Sequence, residues 1–232
     1  VDQTFTSPVF EKLIKSVSKQ DGFFTAQQAT SAGYSPQNQS YHVKAGHWER
    51  HARGIFRLKL WPTRFSDLTD FEIAYLWTSD RMGVPQGVIS HGSALIAWNF
   101  SSLFQRTRVH VTVPTKFRRR SQCVHKLQLH YHELNDSNIQ DKFGFRITSP
   151  LRTILDLLTD PRPSIENKHV KEAMEAALLR GYIADHEIKR ATLSGQERDL
   201  LVALLRKINY PQVREEAMNS LISSLSQMAV ID

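Results

Sequence analysis

Residues with the chemistry for catalysis are few and scattered. Ser90-His91-Gly92-Ser93 offers a hydroxyl and an imidazole, but His91 and Ser93 are too close along the chain to form a triad by themselves, and no third member can be named. Ser90 suits a helix cap and His91 a packing position at a domain joint. Gly92-Ser93 also starts like a nucleotidyltransferase motif, without the paired acids that would hold its metal. His125, His130 and His132, with Glu133, have metal-binding atoms, and His130 and His132 would share one face of a strand. The chain has a single cysteine, Cys123, and a polar strand face is the preferred reading of these histidines. Arg152 and Asp156 have the spacing of an intrahelical ion pair. Glu166-x-Lys168 and Glu187-x-Lys189 each match a fragment of a nuclease site but lack a suitably placed aspartate and strand. The expectation is therefore no catalytic residue, no metal and no cofactor. Two alternatives stay open. One is a DNA-targeted nuclease or metal hydrolase, which would cleave plasmid with Mg²⁺ or Mn²⁺ and lose that activity on changes at Asp156 or Glu166. The other is a non-catalytic adaptor that binds protein.

The positive charge is a stronger signal. Residues 1–62 contain eight lysines and arginines against four acids, and residues 105–127 contain seven against none. The remaining segments are slightly acidic, so the net charge of +7 sits in two blocks. Two concentrated patches on a balanced chain point to a polyanion; for the first block, ordinary solubilising charge is the competing explanation. The second block comprises Arg106, Arg108, Lys116, Arg118, Arg119, Arg120 and Lys126. Such a run would lie along a phosphate backbone, of DNA or of RNA, and make binding steeply salt-dependent. Its plainer reading is a solvated loop between strands.

The first block needs a scaffold, and local signals supply one. Ser7-Pro8 precedes Val9, Phe10, Leu13, Ile14 and Val17 at helical spacing, and Gly22 ends that helix. Phe23-Phe24 reads as a short buried strand or turn. Thr25 and Gln28 form a capping box for a second helix, ended by Gly33. Ser35 and Pro36 start a third, ended by Gly46. Residues 48–51 and 55–58 read as two strands around the turn Ala52-Arg53-Gly54. This order predicts a winged helix-turn-helix over residues 1–62. Ser35, Gln37, Asn38, Ser40, Tyr41, His42 and Lys44 would face outward to base edges and phosphates, with Val43 and Ala45 inward. Arg50, His51 and Arg53 would form a cationic wing.

After an expected linker at residues 62–66, residues 63–232 read as a larger α+β domain with a small sheet and a helical C-terminus. Helices are expected over 68–79, 90–100, 149–158, 166–180, 184–191, 195–208 and 214–230. Strands are expected over 108–114, around Leu127, Leu129 and Tyr131, and over 143–148. Leu200, Leu201, Leu204, Leu205 and Ile208, then Met218, Leu221, Ile222, Leu225 and Met228, make helical stripes more often core than interface. No apolar run is long enough to span a bilayer. The start shows no signal peptide, and Val1 in place of Met suggests a trimmed or partial N-terminus. One cysteine allows no internal disulfide, which fits a reducing cytoplasm.

Several segments resemble the AbiEi-type antitoxins of bacterial type IV toxin–antitoxin systems. They are Gly22-Phe23-Phe24-Thr25-Ala26-Gln27-Gln28-Ala29; Gly46-His47-Trp48-Glu49-Arg50-His51-Ala52-Arg53-Gly54-Ile55-Phe56-Arg57-Leu58; Ser90-His91-Gly92-Ser93-Ala94-Leu95; Val109-His110-Val111-Thr112-Val113-Pro114; and residues 149–157. They cover about residues 8–160 in the family's order. The resemblance implies an antitoxin that represses its own operon by binding inverted repeats. It also implies that the second domain opposes a nucleotidyltransferase toxin with little or no direct contact.

Overall fold

Ser7 accepts a hydrogen bond from the Phe10 amide at 3.2 Å and Pro8 takes the first helical position, so helix α1 runs Pro8–Val17. In the computed structural model, which describes residues 7–62, 66–100, 107–119, 121–161, 166–208 and 222, the chain continues through strand β1 (Phe23–Thr25), α2 (Ala26–Ala32), α3 (Pro36–Lys44), β2 (Trp48–Ala52) and β3 (Ile55–Leu58). The capping box at α2 is present: the Gln28 amide donates to Thr25 Oγ1 at 3.1 Å, and the Thr25 amide donates to Gln28 Oε1 at 2.8 Å. β3 lies between β1 and β2, antiparallel to both. Leu13, Val17, Phe24, Tyr34, Trp48 and Phe56 form the core between helices and sheet. Phe24 is fully buried, edge-on to Trp48 with centroids 4.8 Å apart. Phe24→Ala is expected to destabilise the protein by about 3–5 kcal/mol, read from urea unfolding.

Next come α4 (Thr69–Trp77), β4 (Val88–Ile89), α5 (His91–Ala97), β5 (Val109–Val113), β6 (Leu127–Tyr131), β7 (Ile139–Lys142) and β8 (Phe145–Thr148). Four further helices follow: α6 (Pro150–Thr159), α7 (Asn167–Leu179), α8 (Asp185–Arg190) and α9 (Gly195–Lys207). The second sheet has the order β6-β5-β4-β8-β7, with β5 parallel to β6 and antiparallel to β4. The fold is thus mixed α+β with two small sheets. Three local readings need correction. The short β4 and the strand β7 carried no recognised signal. Phe143 and Gly144, expected to begin a strand, both have positive φ and turn the β7–β8 hairpin. β5 is buried along its whole length, His110 and Thr112 included, so both of its faces are covered, with α4 packed on the strand and the His110 ring stacked on that of His130.

The chain forms two compact units: one from Val1–Ile89 with Thr107–Ile147, the other from Ser90–Arg106 with Thr148–Asp232. The chain passes between the units after residues 89, 106 and 147, whereas the sequence reading places its domain boundary after residue 62. In the first unit, α4 packs on β1, β3 and β5, so the N-terminal helices and the five-stranded sheet are continuous. Arg57, on β3, is buried: its Nε donates to the Asp21 carbonyl at 3.2 Å and its guanidinium lies over Phe23. Of the expected linker, residues 63–65 lie outside the described residues, and Ser66 already opens a 3-10 turn to Leu68.

In the second unit, Ser149 caps α6 at the Arg152 amide. Buried Arg152 bonds Asp156 Oδ1 at 2.7 Å and Glu197 Oε1 at 2.6 Å, tying α6 to α9. The expected ion pair is present and extends to a third residue. Leu201, Leu204, Leu205 and Ile208 are buried as the stripe predicts. The helix expected over 214–230, with Met218, Leu221, Leu225 and Met228, lies outside the described residues; Ile222 alone is described there, as helical. Among the described residues no helix is long and apolar enough to cross a membrane.

Candidate nucleic-acid interface

Helix α3 starts at Ser35, whose Oγ accepts from the Asn38 amide at 3.2 Å, with Pro36 at the first position. Its inner face is polar. Gln39, 6% exposed, donates from Nε2 to Tyr34 O at 3.0 Å, to Thr30 Oγ1 at 2.9 Å and to Ala26 O at 3.2 Å. One buried amide thus holds α3 to α2 and to the turn between them. Helical periodicity puts His42 on the same face, three residues on. His42 is 7% exposed and stacked on Trp48, with rings 15° from parallel and centroids 4.9 Å apart. Its Nδ1 lies 3.1 Å from Nδ1 of His47. His42 is therefore removed from the outward set. Ala45, expected inward, is exposed, and Val43 is half-buried. Ser35, Gln37, Asn38, Ser40, Tyr41 and Lys44 are exposed, with Tyr41 at 62%. No acidic residue lies on α3.

Burial pushes the His42 imidazole below its usual pKa, and neighbouring His47 adds to the shift. A depressed histidine pKa contributes stability that is present above the unfolded value of 6.5 and lost as pH falls through the folded value. Acidification below that value is expected to loosen the seat of α3. His42→Phe should flatten this part of the melting-temperature profile between pH 5 and 8.

The β2–β3 hairpin lies beside this helix. Gly54, with φ +72°, closes its turn, and its carbonyl accepts from the Ala26 amide at 2.8 Å, fastening the tip to the start of α2. A bulge falls between Arg50 and Ala52. Arg50 and Arg53 are exposed. His51 is half-withdrawn: its ring meets Phe23 edge-on at 4.9 Å, and burial lowers its pKa against the pull of Glu49.

The second basic block contributes Arg108, Lys116, Arg118, Arg119 and Lys126, all exposed; Arg106 and Arg120 lie outside the described residues. The segment between β5 and β6 is anchored at several points. The Thr115 amide and hydroxyl donate to Glu133 Oε1 at 2.9 and 2.7 Å. Phe117 is buried, its ring 6.0 Å from that of Trp77. Arg119 lies over Trp77 at 5.3 Å and donates to the Ser79 carbonyl. Arg53 and Arg119, from the two cationic blocks, line one cleft of about 690 Å³. Residue types announced both blocks; nothing local announced that Arg53 and Arg119 would line one cleft, nor the anchoring roles of Gln39, Trp77 and Ser79.

Residues 11–59 match the family described as transcriptional regulator, AbiEi antitoxin. The AbiEi-matching segment spans from within α1 to just beyond β3 and so contains α3 and the hairpin. Among curated proteins no sequence matches the chain. Among solved structures, the RV2827C protein from Mycobacterium tuberculosis is similar with a TM-score of 0.53 at 13% identity, over 94% of this chain and 82% of that one. At that identity the likeness is one of fold.

Outside the AbiEi-matching segment, the other candidate groups do not assemble as their motifs would need. Ser90 takes the N-cap position of α5 as expected but makes no side-chain capping bond; its hydroxyl meets His91 Nδ1 at 2.9 Å. The same nitrogen is 4.0 Å from Asp156 Oδ2, so the acid and the hydroxyl face one ring nitrogen rather than opposite ones. His91, Ser93 and Asp156 are buried. His125 pairs with Asp70 at 3.5 Å, His130 stacks on His110, and His132 falls beyond the end of β6, while Glu133 is engaged with Thr115. Glu166 forms a surface ion pair with Lys168 at 2.9 Å, and Glu187 accepts from the Ala184 amide.

Proposed function

We propose that the chain is a DNA-binding transcriptional regulator of winged helix-turn-helix type. In this reading α3 enters the major groove, and the β2–β3 hairpin is the wing whose Arg50 and Arg53 hold the flanking backbone. One observation carries the proposal: the exposed, acid-free face of α3 lies beside a hairpin with exposed arginines. A helix of this size fits the major groove, and Gln37, Asn38 and Ser40 offer both donors and acceptors to base edges. The regulator acts as a repressor of its own operon at inverted repeats, in the cytoplasm, and as the antitoxin opposing a nucleotidyltransferase toxin. The AbiEi match over residues 11–59 supports the regulatory part. The reading assigns no catalytic step and no metal.

The test is binding to the DNA upstream of its own gene against random duplex of equal length. Asn38→Ala is expected to relax sequence preference by about 1–3 kcal/mol at one base position. Arg53→Ala should weaken both duplexes alike and lower the salt slope by about 1. Equal affinity of the unaltered protein for both duplexes would defeat the operator-reading proposal.

A further inference from the structure

We propose that the basic loop between β5 and β6 is a second phosphate-binding arm of the same DNA site, gripping the backbone that passes the hairpin tip. This rests on the DNA-binding reading above and extends it to residues well outside the helix and hairpin.

Three observations support it. First, Arg53 of the hairpin turn and Arg119 of the loop line a single cleft of about 690 Å³, although more than sixty residues separate them in sequence. A strand of backbone held by one is within the compass of the other. Second, the cleft suits a sugar–phosphate chain, which alternates anionic and apolar groups. Its lining combines the two arginines with the apolar side chains of Ile73, Trp77 and Val124. Third, the loop is built rather than loosely solvated. Glu133 holds Thr115, Phe117 is buried, and Arg119 is fixed on Trp77 and Ser79. Lys116 and Lys126 are thereby displayed on an anchored frame, Arg118 is exposed beside them with one guanidinium nitrogen donating to the Thr115 and Phe117 carbonyls at 3.2 and 2.7 Å, and residues 105–127 include no acid. Pre-set cations lose less freedom on binding than mobile ones.

The cleft favours duplex DNA over single-stranded RNA. Single strands are gripped by aromatic faces on which bases stack. Trp77, the aromatic residue of this cleft, already has Arg119 over its ring.

The experiment uses the full chain with Lys116→Ala, Arg118→Ala and Lys126→Ala combined, and Lys116→Gln alone as a milder variant. Fluorescence anisotropy with labelled duplex from upstream of the gene is followed between 50 and 200 mM salt, with hydroxyl-radical footprints alongside. The slope of log affinity against log salt should fall by about 2–3 in the triple variant and by about 1 in the single one, at roughly 0.9 per phosphate. The protected stretch should shorten on the hairpin side, with sequence preference retained. An unchanged slope and footprint, while Arg53→Ala still weakens binding, would overturn the loop's role and leave the helix-and-hairpin reading standing. Loop variants that bind duplex normally but lose affinity for RNA would also overturn it. Failure of the unaltered protein to bind duplex would remove both proposals.

Discussion

Replacing Glu72 with glutamine is expected to stabilise the protein by about 4 kcal/mol at pH 7.5 and by little near pH 4.5. Glu72 lies on α4, 1% exposed, with no hydrogen-bond partner for either carboxyl oxygen among the described residues. Burial, with the Asp21 carboxylate adding to it and Arg57 opposing, pushes its pKa from 4.5 up to about 9. The folded protein then keeps a proton that the unfolded chain releases above 4.5. A raised folded pKa means that the contribution is fully present below the unfolded value and is lost as pH rises toward the folded one. Three pH units at about 1.4 kcal/mol each give the size of the loss at pH 7.5. Glutamine has nearly the same shape and no proton to release. Urea unfolding of both proteins at pH 5 and pH 8 checks this: parallel pH profiles would show that Glu72 ionises freely in the fold.

The second large effect concerns recognition. Lys44→Glu together with Arg53→Glu should weaken DNA binding on the order of a thousandfold at moderate salt, since each reversal removes an attraction and adds a repulsion. Both side chains are exposed, and neither residue's side chain supports the core, so the thermal unfolding midpoint should change by no more than a few degrees. A binding isotherm within threefold of the unaltered protein would exclude these residues from the interface. The contrast with His42 is informative. It lies two residues before Lys44 and bears a side chain equally suited to DNA, yet it is stacked on Trp48 and cannot reach a groove.

Much of the N-terminal part was legible in the chain because its signals are local. Ser7-Pro8, Thr25 with Gln28, and Ser35-Pro36 start helices through hydrogen bonds spanning three residues. Gly33 and Gly54 mark a helix end and a hairpin turn through their own backbone angles. Such bonds form wherever the residues occur, so reading them needs no knowledge of the rest of the fold. For the same reason the exposed arginines of the hairpin and the acid-free charge block could be named in advance.

What tertiary structure decided was direction and proximity. Within α3 the sequence shows polar residues all round; only the position of Trp48 and α2 determines that Gln39 and His42 turn inward while Gln37, Tyr41 and Lys44 stay out. Arg57 and Glu72 look like surface charges in the chain and are buried, because α4 closes over β1 and β3. β5 looks half-polar, yet both of its faces are covered, His110 and Thr112 being buried like the valines beside them. That Arg53 and Arg119 line one cleft depends on the path of α4 and the second sheet. These outcomes arise from long-range packing, where a side chain's fate is determined by neighbours distant in sequence, and no short window of residues contains them.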